Sequence, residues 1–299
     1  MKMAIDNNYI IVTPVRNEEK YIEKSISSVI SQTIRPTEWI IVNDGSTDRT
    51  REIIARYSKE FSWIKRIDRK NQGFRETGAK VVEAFNDGFG NVSANDWNFV
   101  VKLDGDLSFD RDYFENLIGK FHEDKRLGIA SGVYLELDKA GTWRQVRMPL
   151  YHTAGACKMV RRNCYEEIGG FFVSAGWDTV DEIRAITRGW VTRHFSDLRM
   201  KHHKPEGSGI GMLKTSVMHG EIFYLTGGDR LFFALKALKR AGAKPYFVGS
   251  LALCWGYVRT ALEGRALIVN EAEAHCYKTL LRERLRLSVR KLIVRNQNY

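Results

Sequence analysis

The sequence contains little cysteine and little proline, and each shortage argues against a class of architecture. Its 299 residues include four cysteines, with no CxxC pair and no Cys/His cluster at zinc spacing. This usage favours a reducing compartment over a disulfide framework or a structural zinc site. With only five prolines, the chain has no long Pro-rich linker.

Other features that the sequence lacks exclude further classes of protein. There is no repeat with a period of about 20–50 residues and no low-complexity tract. The N-terminal stretch has no apolar segment of about 7–15 residues before a small-residue cleavage site, so we expect no signal peptide. Hydrophobic residues make up 43% of the chain and charged residues 28%. This composition is typical of a globular protein and argues against disorder, collagen and coiled coil.

The positive charge is unevenly distributed. The formal net charge is +11, and the region Ser216–Tyr299 contains 14 Lys and Arg against 6 Asp and Glu, which is +8 of that total. The first 215 residues are therefore close to neutral. Anionic lipid, nucleic acid and an acidic protein are the partners that such a basic region could serve.

The N-terminal half alternates β-rich segments with segments of helical spacing. Strands are predicted at Tyr9–Val15, Trp39–Val42, Trp63–Ile67 and Trp97–Leu103, with helices at 18–32, 47–61 and 77–89. This order predicts an α/β fold, a parallel sheet covered by helices in a single α/β/α sandwich. Ligands of such sheets bind at the carboxyl ends of the strands. Each predicted strand here ends in polar residues.

The pattern changes twice beyond the fourth strand. After Asp106 it predicts helices at 110–123 and 178–187 and strands at 127–137 and 195–200. From Glu221 onward the sequence is basic and aromatic-rich, without clear strands. We therefore predict one domain at 1–215, followed by a mainly helical, basic extension at 216–299.

The sharpest local motif is Asp104-Gly105-Asp106, at the end of an apolar strand. Two carboxylates separated by one glycine can both face one hard cation. Mg²⁺ and Mn²⁺ are held by one or two carboxylates together with substrate phosphates, whose charge they offset. The same residues also suit an ordinary acidic turn, so the motif alone leaves both interpretations open.

Two other strand ends carry polar motifs. Asp44 lies in Asn43–Asp48, which opens a helix, and its carboxylate can accept from a nucleobase N–H or a ribose hydroxyl. The glycine that follows permits close backbone approach, although the motif taken alone favours an Asp-Gly turn with a helix cap. Thr13–Glu19 follows the first strand, and Pro14 excludes a helix until after it.

Together these motifs resemble the family 2 glycosyltransferases of GT-A fold. The resemblance is carried, in order, by PVRNEE after the first strand, IIVNDGSTDRT after the second, NQG at 71–73 and a strand ending in LDGD. It covers roughly residues 9–205. It implies a GT-A (Rossmann-like) sandwich, a nucleotide-diphospho-sugar donor, a divalent cation (Mg²⁺ or Mn²⁺) and inversion at the anomeric carbon.

The resemblance also implies roles for particular positions. Residues 1–106 would bind the nucleotide sugar and 107–215 the acceptor. The positions implied around the nucleoside are Thr13, Pro14, Glu18 and Asp44. Asp104 and Asp106 would contact the ribose, the diphosphate and the metal. His202 or His203 could supply a third metal ligand or touch the donor phosphates, and a surface histidine pair is the alternative.

The family places an acidic base, within a Glu-Asp pair, shortly after a Gly-Gly-Phe turn. Gly169–Phe171 matches the turn, but Trp177 stands where the Glu is expected, which leaves Asp178 and Asp181. One carboxylate within hydrogen-bond reach of the acceptor hydroxyl suffices for an inverting transfer. Asp178 also suits a helix N-cap, with Asp181 completing a capping-box-like pair. Because Asp178 has the more evident structural duty, we expect Asp181 to be the base.

The C-terminal region indicates membrane association. Pro245–Val258 has 14 residues without a charge, fewer than the roughly 20 that a spanning helix needs. Segments 230–240 and 281–293 interleave apolar and basic residues at helical spacing, typical of membrane-surface helices. A tail packed on the catalytic domain is the alternative. Tyr246–Tyr257 also resembles the tail of membrane-associated bacterial members of the family.

We therefore expect an inverting glycosyltransferase that acts in surface polysaccharide or glycolipid assembly. It would lie in the cytoplasm, peripheral on an anionic membrane surface at the inner face of the cell membrane, with a sugar or lipid-linked acceptor. A close rival uses polyprenyl phosphate as acceptor. Nucleotidyl transfer usually requires a Gly-rich loop after the first strand, which PVRNEEK lacks. The remote alternative is a non-enzymatic, basic protein that binds a membrane or nucleic acid. Nucleic acid is disfavoured because no RNP, KH or zinc motif is present, so no nucleic-acid partner is expected.

Overall fold

The first four strands form the parallel half of the sheet. The structure, a computed structural model, describes residues 7–70, 78–204 and 211–296, so the NQG motif at 71–73 lies outside the described residues. The strands are β1 (Tyr9–Val15), β2 (Glu38–Asp44), β3 (Ile64–Arg69) and β4 (Phe99–Leu103). They pair in parallel in the order β3-β2-β1-β4. This confirms the predicted strands, with shifts of one or two residues at most ends.

The second half of the sheet is mixed. Its strands are β5 (Leu107–Phe109), β6 (Leu127–Leu137), β7 (Trp143–Gln145), β8 (Cys157–Arg161) and β9 (Val191–His202). β8 lies antiparallel between β4 and β6, and β6 pairs in parallel with β9. β5 and β7 pair antiparallel with β9 and β6, respectively. The sequence did not predict β8, because the buried Lys158 interrupts its apolar pattern.

Helices cover both faces of the sheet. One face packs against α1 (Ile22–Ile30), α2 (Thr50–Glu60) and α4 (Tyr113–Glu123), and the other against α3 (Ala79–Phe89), α5 (Arg162–Glu167) and α6 (Trp177–Thr187). Along β1, Ile11 and Val15 enter the first core and Ile10 and Val12 the second, since successive strand residues point to opposite faces. The predicted α/β/α sandwich is confirmed.

The loops after β1 and β2 hold each other in place. The Thr47 N–H donates to Asn17 Oδ1 at 2.8 Å, and the Asn17 N–H donates to Ser46 Oγ at 3.0 Å. The Glu18 N–H donates to Thr50 Oγ1 at 2.8 Å. The sequence predicted a helix from residue 18, but Glu18 belongs to this pair of loops. Helix α1 therefore begins later, at Ile22.

The described residues from 211 onward form a second compact unit. Its helices are α7 (Met212–Leu225), α8 (Arg230–Ala241), α9 (Val248–Leu262) and α10 (Glu271–Asn296). The boundary expected after residue 215 therefore lies inside α7. Within the ranges that the structure describes, none of the helices combines the length and the apolar character needed to cross a bilayer.

Candidate active site

The first of the two motif carboxylates is fixed by a buried lysine. Lys102 lies in β4 with its side chain in the protein interior, and its Nζ donates to Asp104 Oδ1 and, at 2.9 Å, to the Gly155 carbonyl. The Asp104 N–H donates to the Ala156 carbonyl at 2.7 Å. Burial raises the pKa of Asp104, and the Lys102 ammonium opposes that shift. The Asp104 side chain stays 33% exposed, so this carboxylate is anchored at the strand end and still reaches solvent.

The second carboxylate, Asp106, faces a histidine from another strand. Asp106 Oδ2 lies 3.6 Å from His202 Nε2, and Glu136 Oε1 lies 3.2 Å from His202 Nδ1. Burial lowers the pKa of His202, but the Asp106, Asp104 and Glu136 carboxylates outweigh it and raise the pKa to about 9. Asp106 Oδ1 is buried and has no hydrogen-bond partner among the described residues.

The neighbouring histidine points elsewhere. His203 Nε2 lies 2.8 Å from Ser108 Oγ, and the His203 ring stacks against Tyr21 with centroids 6.2 Å apart. Consecutive residues of an extended chain project to opposite sides, so only one of the pair can join the carboxylates. In this structure that residue is His202.

These residues fit a cation that is shared with a substrate. Within the described ranges, no group of three or more His, Cys, Asp or Glu side chains is arranged to hold an ion by itself. Mg²⁺ and Mn²⁺ are commonly held by one or two protein ligands and by substrate phosphates. The buried, unpartnered oxygen of Asp106 is the atom that such a cation would satisfy.

A second polar group lies at the ends of β2 and β3. Arg69 Nη1 donates to Asp44 Oδ1 at 2.8 Å, and Arg69 Nε lies 2.7 Å from Asp87 Oδ2. Asp44 and Arg69 are register partners in the sheet. The sequence analysis identified Asp44 but missed Arg69. Arg69 is the last residue of β3, and a charged residue at the carboxyl end of a strand could have indicated a site residue.

The residues near the end of β1 that the resemblance implies around the nucleoside differ in their burial and contacts. Pro14 is half-buried, and the Glu18 carboxylate, which is mostly buried, accepts from Lys204 Nζ. Thr13 is fully buried, and its hydroxyl accepts from Trp39 Nε1 at 2.9 Å. The Thr13 side chain therefore joins β1 to β2 inside the core and forms no part of the exposed edge.

The two candidate bases, Asp178 and Asp181, lie in different surroundings. Helix α6 begins at Trp177, and its N-cap is Gly176, with φ of 80° and no side-chain cap. The N-cap role expected for Asp178 is therefore wrong. Asp178 lies half-buried in the first turn, and a Cβ added to Gly155 would lie 3.5 Å from its Oδ2. Because the Gly155 carbonyl accepts from Lys102, the Asp178 carboxylate lies close to the Lys102–Asp104 pair.

The other candidate, Asp181, is fully buried. Its two oxygens lie 3.0 and 3.1 Å from Lys158 Nζ, which also donates to the Asp178 carbonyl at 2.9 Å. Burial raises the pKa of Asp181 to about 7, and Lys158 opposes the shift. The capping-box partnership expected between the two aspartates is absent, because Gly176 is the cap.

Sequence reasoning missed a histidine that extends this buried network. His152 Nδ1 lies 2.9 Å from Glu182 Oε2, and Glu182 Oε1 accepts at 2.7 Å from both the N–H and the hydroxyl of Thr153. Burial lowers the pKa of His152, but the Glu182 carboxylate outweighs it and raises the pKa to about 9. His152 stands outside every motif, so the sequence offered no signal for this contact.

Comparison with protein families gives one match over the first unit. A sequence model described as glycosyl transferase family 2 matches residues 10–177, which is more than half of the chain. The chain is 33% identical over 138 residues to glycosyltransferase GlyA of Streptococcus pneumoniae serotype 4, covering 46% of this chain and 18% of that protein. It is 31% identical over 116 residues to poly-beta-1,6-N-acetyl-D-glucosamine synthase of Staphylococcus aureus, covering 39% and 26%. The chain thus spans only a fraction of the length of these relatives.

A solved structure has the same fold over nearly the whole chain. Mannosyltransferase PcManGT from Pyrobaculum calidifontis, in complex with GDP-Man and Mn²⁺, matches with a TM-score of 0.55 and 17% identity. The match covers 97% of this chain and 90% of that one. This likeness confirms the predicted GT-A architecture with a helical C-terminal region.

Proposed function

The chain belongs to glycosyl transferase family 2, and from this premise we propose that it transfers a sugar from a nucleotide-diphospho-sugar to an acceptor hydroxyl, inverting the anomeric carbon. The family match confirms the interpretation of the chain as a glycosyltransferase. One observation carries the proposal for this particular site. Asp104, Asp106 and His202 converge at the carboxyl end of β4, where Asp106 presents a buried oxygen without a partner.

The donor would lie along the carboxyl ends of β1, β2 and β4, with Pro14, Glu18 and Asp44 on the nucleoside side. This edge already combines anionic and cationic groups, in the Asp44–Arg69 and Glu18–Lys204 pairs. The GDP-Man of PcManGT supports a nucleotide-sugar donor. The polysaccharide synthase among the relatives supports a role in surface polysaccharide or glycolipid assembly.

A bound Mg²⁺ or Mn²⁺ would offset the negative charge of the diphosphate as it leaves. Asp106 and, beside it, Asp104 would hold this cation, and the Mn²⁺ of PcManGT supports its presence. His202 is the third candidate. Its Nε2 would bind a cation only in the neutral form of the ring, so binding of the cation would release the proton that the Asp106 and Glu136 carboxylates favour.

Asp178 is the better candidate for the base. Its carboxylate is partly exposed and close to the Lys102–Asp104 pair, whereas Asp181 is buried against Lys158. A carboxylate in the first turn of a helix is also favoured in its charged form. In the transfer, the acceptor oxygen would attack the anomeric carbon as the bond to the diphosphate breaks. The hydroxyl proton would pass to Asp178, and the nucleoside diphosphate would leave.

The experiment that tests this proposal replaces Asp106 with Asn and measures hydrolysis of a panel of nucleotide sugars with Mn²⁺ or Mg²⁺. We expect Asp106→Asn to abolish turnover, because the amide removes the charge that would hold the cation. Asp110→Asn is the matched control, since Asp110 is exposed and lies four residues along the chain. Full wild-type turnover in excess EDTA would contradict the cation, and hydrolysis of none of the donors by wild type would contradict the proposed donor class.

A further inference from the structure

Helix α9 has apolar surfaces on two opposite sides. Leu253, Gly256 and Thr260 are buried, and a Cβ added to Gly256 would lie 2.0 Å from the Val217 carbonyl of α7. The opposite side carries an outer stripe, which we define by five residues that are 45–80% exposed: Phe247, Leu251, Trp255, Val258 and Leu262. At about 100° per residue, these positions share an arc of about 80°.

The adjacent helix adds to the exposed apolar surface of the same unit. Leu231, Leu235 and Leu238 recur at i, i+4 and i+7 along α8, and all three are exposed. Ser250 Oγ of α9 donates to the Ala237 carbonyl at 2.7 Å, so the two helices are in contact. Large exposed apolar side chains that cluster on one side of a helix are typical of a binding surface.

Positive charge precedes the outer stripe in the chain. Lys239 and Lys244 are exposed and stand just before the stripe in the chain. The acidic residues nearby are already neutralised: Glu263 lies 3.4 Å from Arg259, and Asp229 lies 2.8 Å from Arg282. The net charge of residues 216–299 is +8, which favours an anionic partner.

We propose that the outer stripe docks this unit on the surface of an anionic bilayer, with α9 lying in the plane of the interface. A helix of 15 residues is about 22 Å long and cannot cross a hydrocarbon core of about 30 Å. Lying flat, it buries its aliphatic side chains, while Phe247 and Trp255 sit at the headgroup level that aromatic residues favour. A second copy of the chain is a poorer occupant, because the adjacent lysines would meet identical charges.

The expectation drawn from the sequence placed membrane-surface helices at 230–240 and 281–293, and Tyr246–Tyr257 resembles the tail of membrane-associated family members. The structure adds which side of α9 is exposed, and the proposal assigns the contact to that side rather than to 281–293. It also goes beyond the proposed function, since donor hydrolysis requires no membrane. A side chain of α10 therefore serves as the matched control. Leu287 is 58% exposed, the same fraction as Trp255, but it lies outside the outer stripe.

The test is co-sedimentation of the full-length chain with vesicles of phosphatidylcholine alone or mixed with phosphatidylglycerol. We expect wild type to bind the mixed vesicles, and Leu251→Glu with Trp255→Glu to weaken that binding about tenfold or more. Leu287→Glu should bind as wild type does. Lys239→Gln with Lys244→Gln should weaken binding at low salt and reduce its salt dependence. A helical circular dichroism spectrum and an unfolding temperature equal to those of wild type would show that each variant is folded.

Two outcomes would overturn the proposal. One is that the stripe variant binds vesicles as well as wild type, or that Leu287→Glu alone loses binding. The other is that wild type ignores both kinds of vesicle and sediments as a dimer, which the stripe variant converts to a monomer. That second result would assign the stripe to self-association. Quenching of Trp255 by brominated acyl chains, absent in Trp255→Phe, would place this residue directly in the lipid.

Discussion

Lys158 Nζ lies 3.0 Å from Asp181 Oδ1, and neither side chain has any surface exposed to solvent. The same ammonium lies 3.4 Å from Glu182 Oε1 and donates to the Asp178 carbonyl. The anionic neighbours raise the pKa of Lys158 even though burial lowers it. The strand β8 thereby fixes α6, and with it the residue proposed as the base.

Removing this ammonium should destabilise the fold strongly. Lys158→Met leaves the buried Asp181 carboxylate without its cation, which costs about 3–5 kcal/mol in the free energy of unfolding. Lys158→Met combined with Asp181→Leu should recover part of that loss. Urea unfolding measures both variants. Arg49→Met is the control, because Arg49 pairs with Glu52 on the surface and should contribute less than about 1 kcal/mol. Equal stability of Lys158→Met and wild type would contradict this account.

The second prediction concerns the base. Asp178→Asn should lower kcat by about 10²–10⁴, the usual contribution of a general base, with little change in the KM for the donor. Asp181→Asn should mainly lower the unfolding temperature and leave turnover largely intact. Steady-state kinetics on both variants checks this. The reverse pattern would return the role to Asp181, as the sequence had suggested.

The Asp178→Asn variant also distinguishes a phosphate acceptor from a hydroxyl acceptor. A phosphate acceptor carries an ionised oxygen and needs no proton removed, so Asp178→Asn would then transfer at the wild-type rate. Product analysis would show a lipid-phospho-sugar in that case. This outcome would favour the polyprenyl-phosphate alternative over transfer to a hydroxyl.

The crossing of α7 and α9 depends on two glycines. A Cβ added to Gly220 would lie 2.0 Å from the Leu253 carbonyl, and one added to Gly256 would lie equally close to the Val217 carbonyl. Either alanine variant should destabilise its unit by about 1–3 kcal/mol through overpacking. Gly119→Ala in α4 is the control, and we expect it to change the free energy of unfolding in the opposite direction. Nothing lies within 4 Å of a Cβ added at Gly119. This substitution should stabilise by about 0.5–1 kcal/mol, as thermal unfolding would show.

The sequence was sufficient to predict the parallel half of the sandwich and the edge where the polar residues collect. Local hydrophobic periodicity determines β1 to β4, and the polar strand ends follow directly from it. β8 could not be predicted in this way, because its five residues include Lys158, whose burial depends on carboxylates more than twenty positions away. Side-chain direction was also inaccessible, which is why His202 and His203 remained alternatives.

Contacts between distant segments explain the remaining differences. The choice between Asp178 and Asp181 rested on the expectation that Asp178 is the N-cap of α6. The N-cap is instead Gly176, in the left-handed conformation. The sequence does not give the backbone angles that identify it. The basic, apolar C-terminal pattern predicted helices correctly. Which apolar side of α9 is buried, however, depends on its close approach to α7.

The last prediction is a pH dependence carried by His152 and Glu182. The folded-state pKa of His152 is about 9, against an ordinary value of 6.5, because the Glu182 carboxylate outweighs the effect of burial. A raised histidine pKa contributes stability that is fully present below pH 6.5 and is lost as the pH rises through 9. At about 1.36 kcal/mol per unit, the loss across this window is up to about 3 kcal/mol.

Urea unfolding of wild type and His152→Gln at pH 6.5 and pH 9 measures this contribution. We expect the variant to be less stable at pH 6.5 and the difference to shrink by pH 9, since neutral His152 no longer attracts Glu182. Comparing the two proteins removes, to first order, the titration of Asp181, which both share. His275→Gln is the control, because His275 is exposed on α10 and should leave the pH profile unchanged. A constant difference between wild type and His152→Gln at both pH values would show that the contact is neutral in the folded protein.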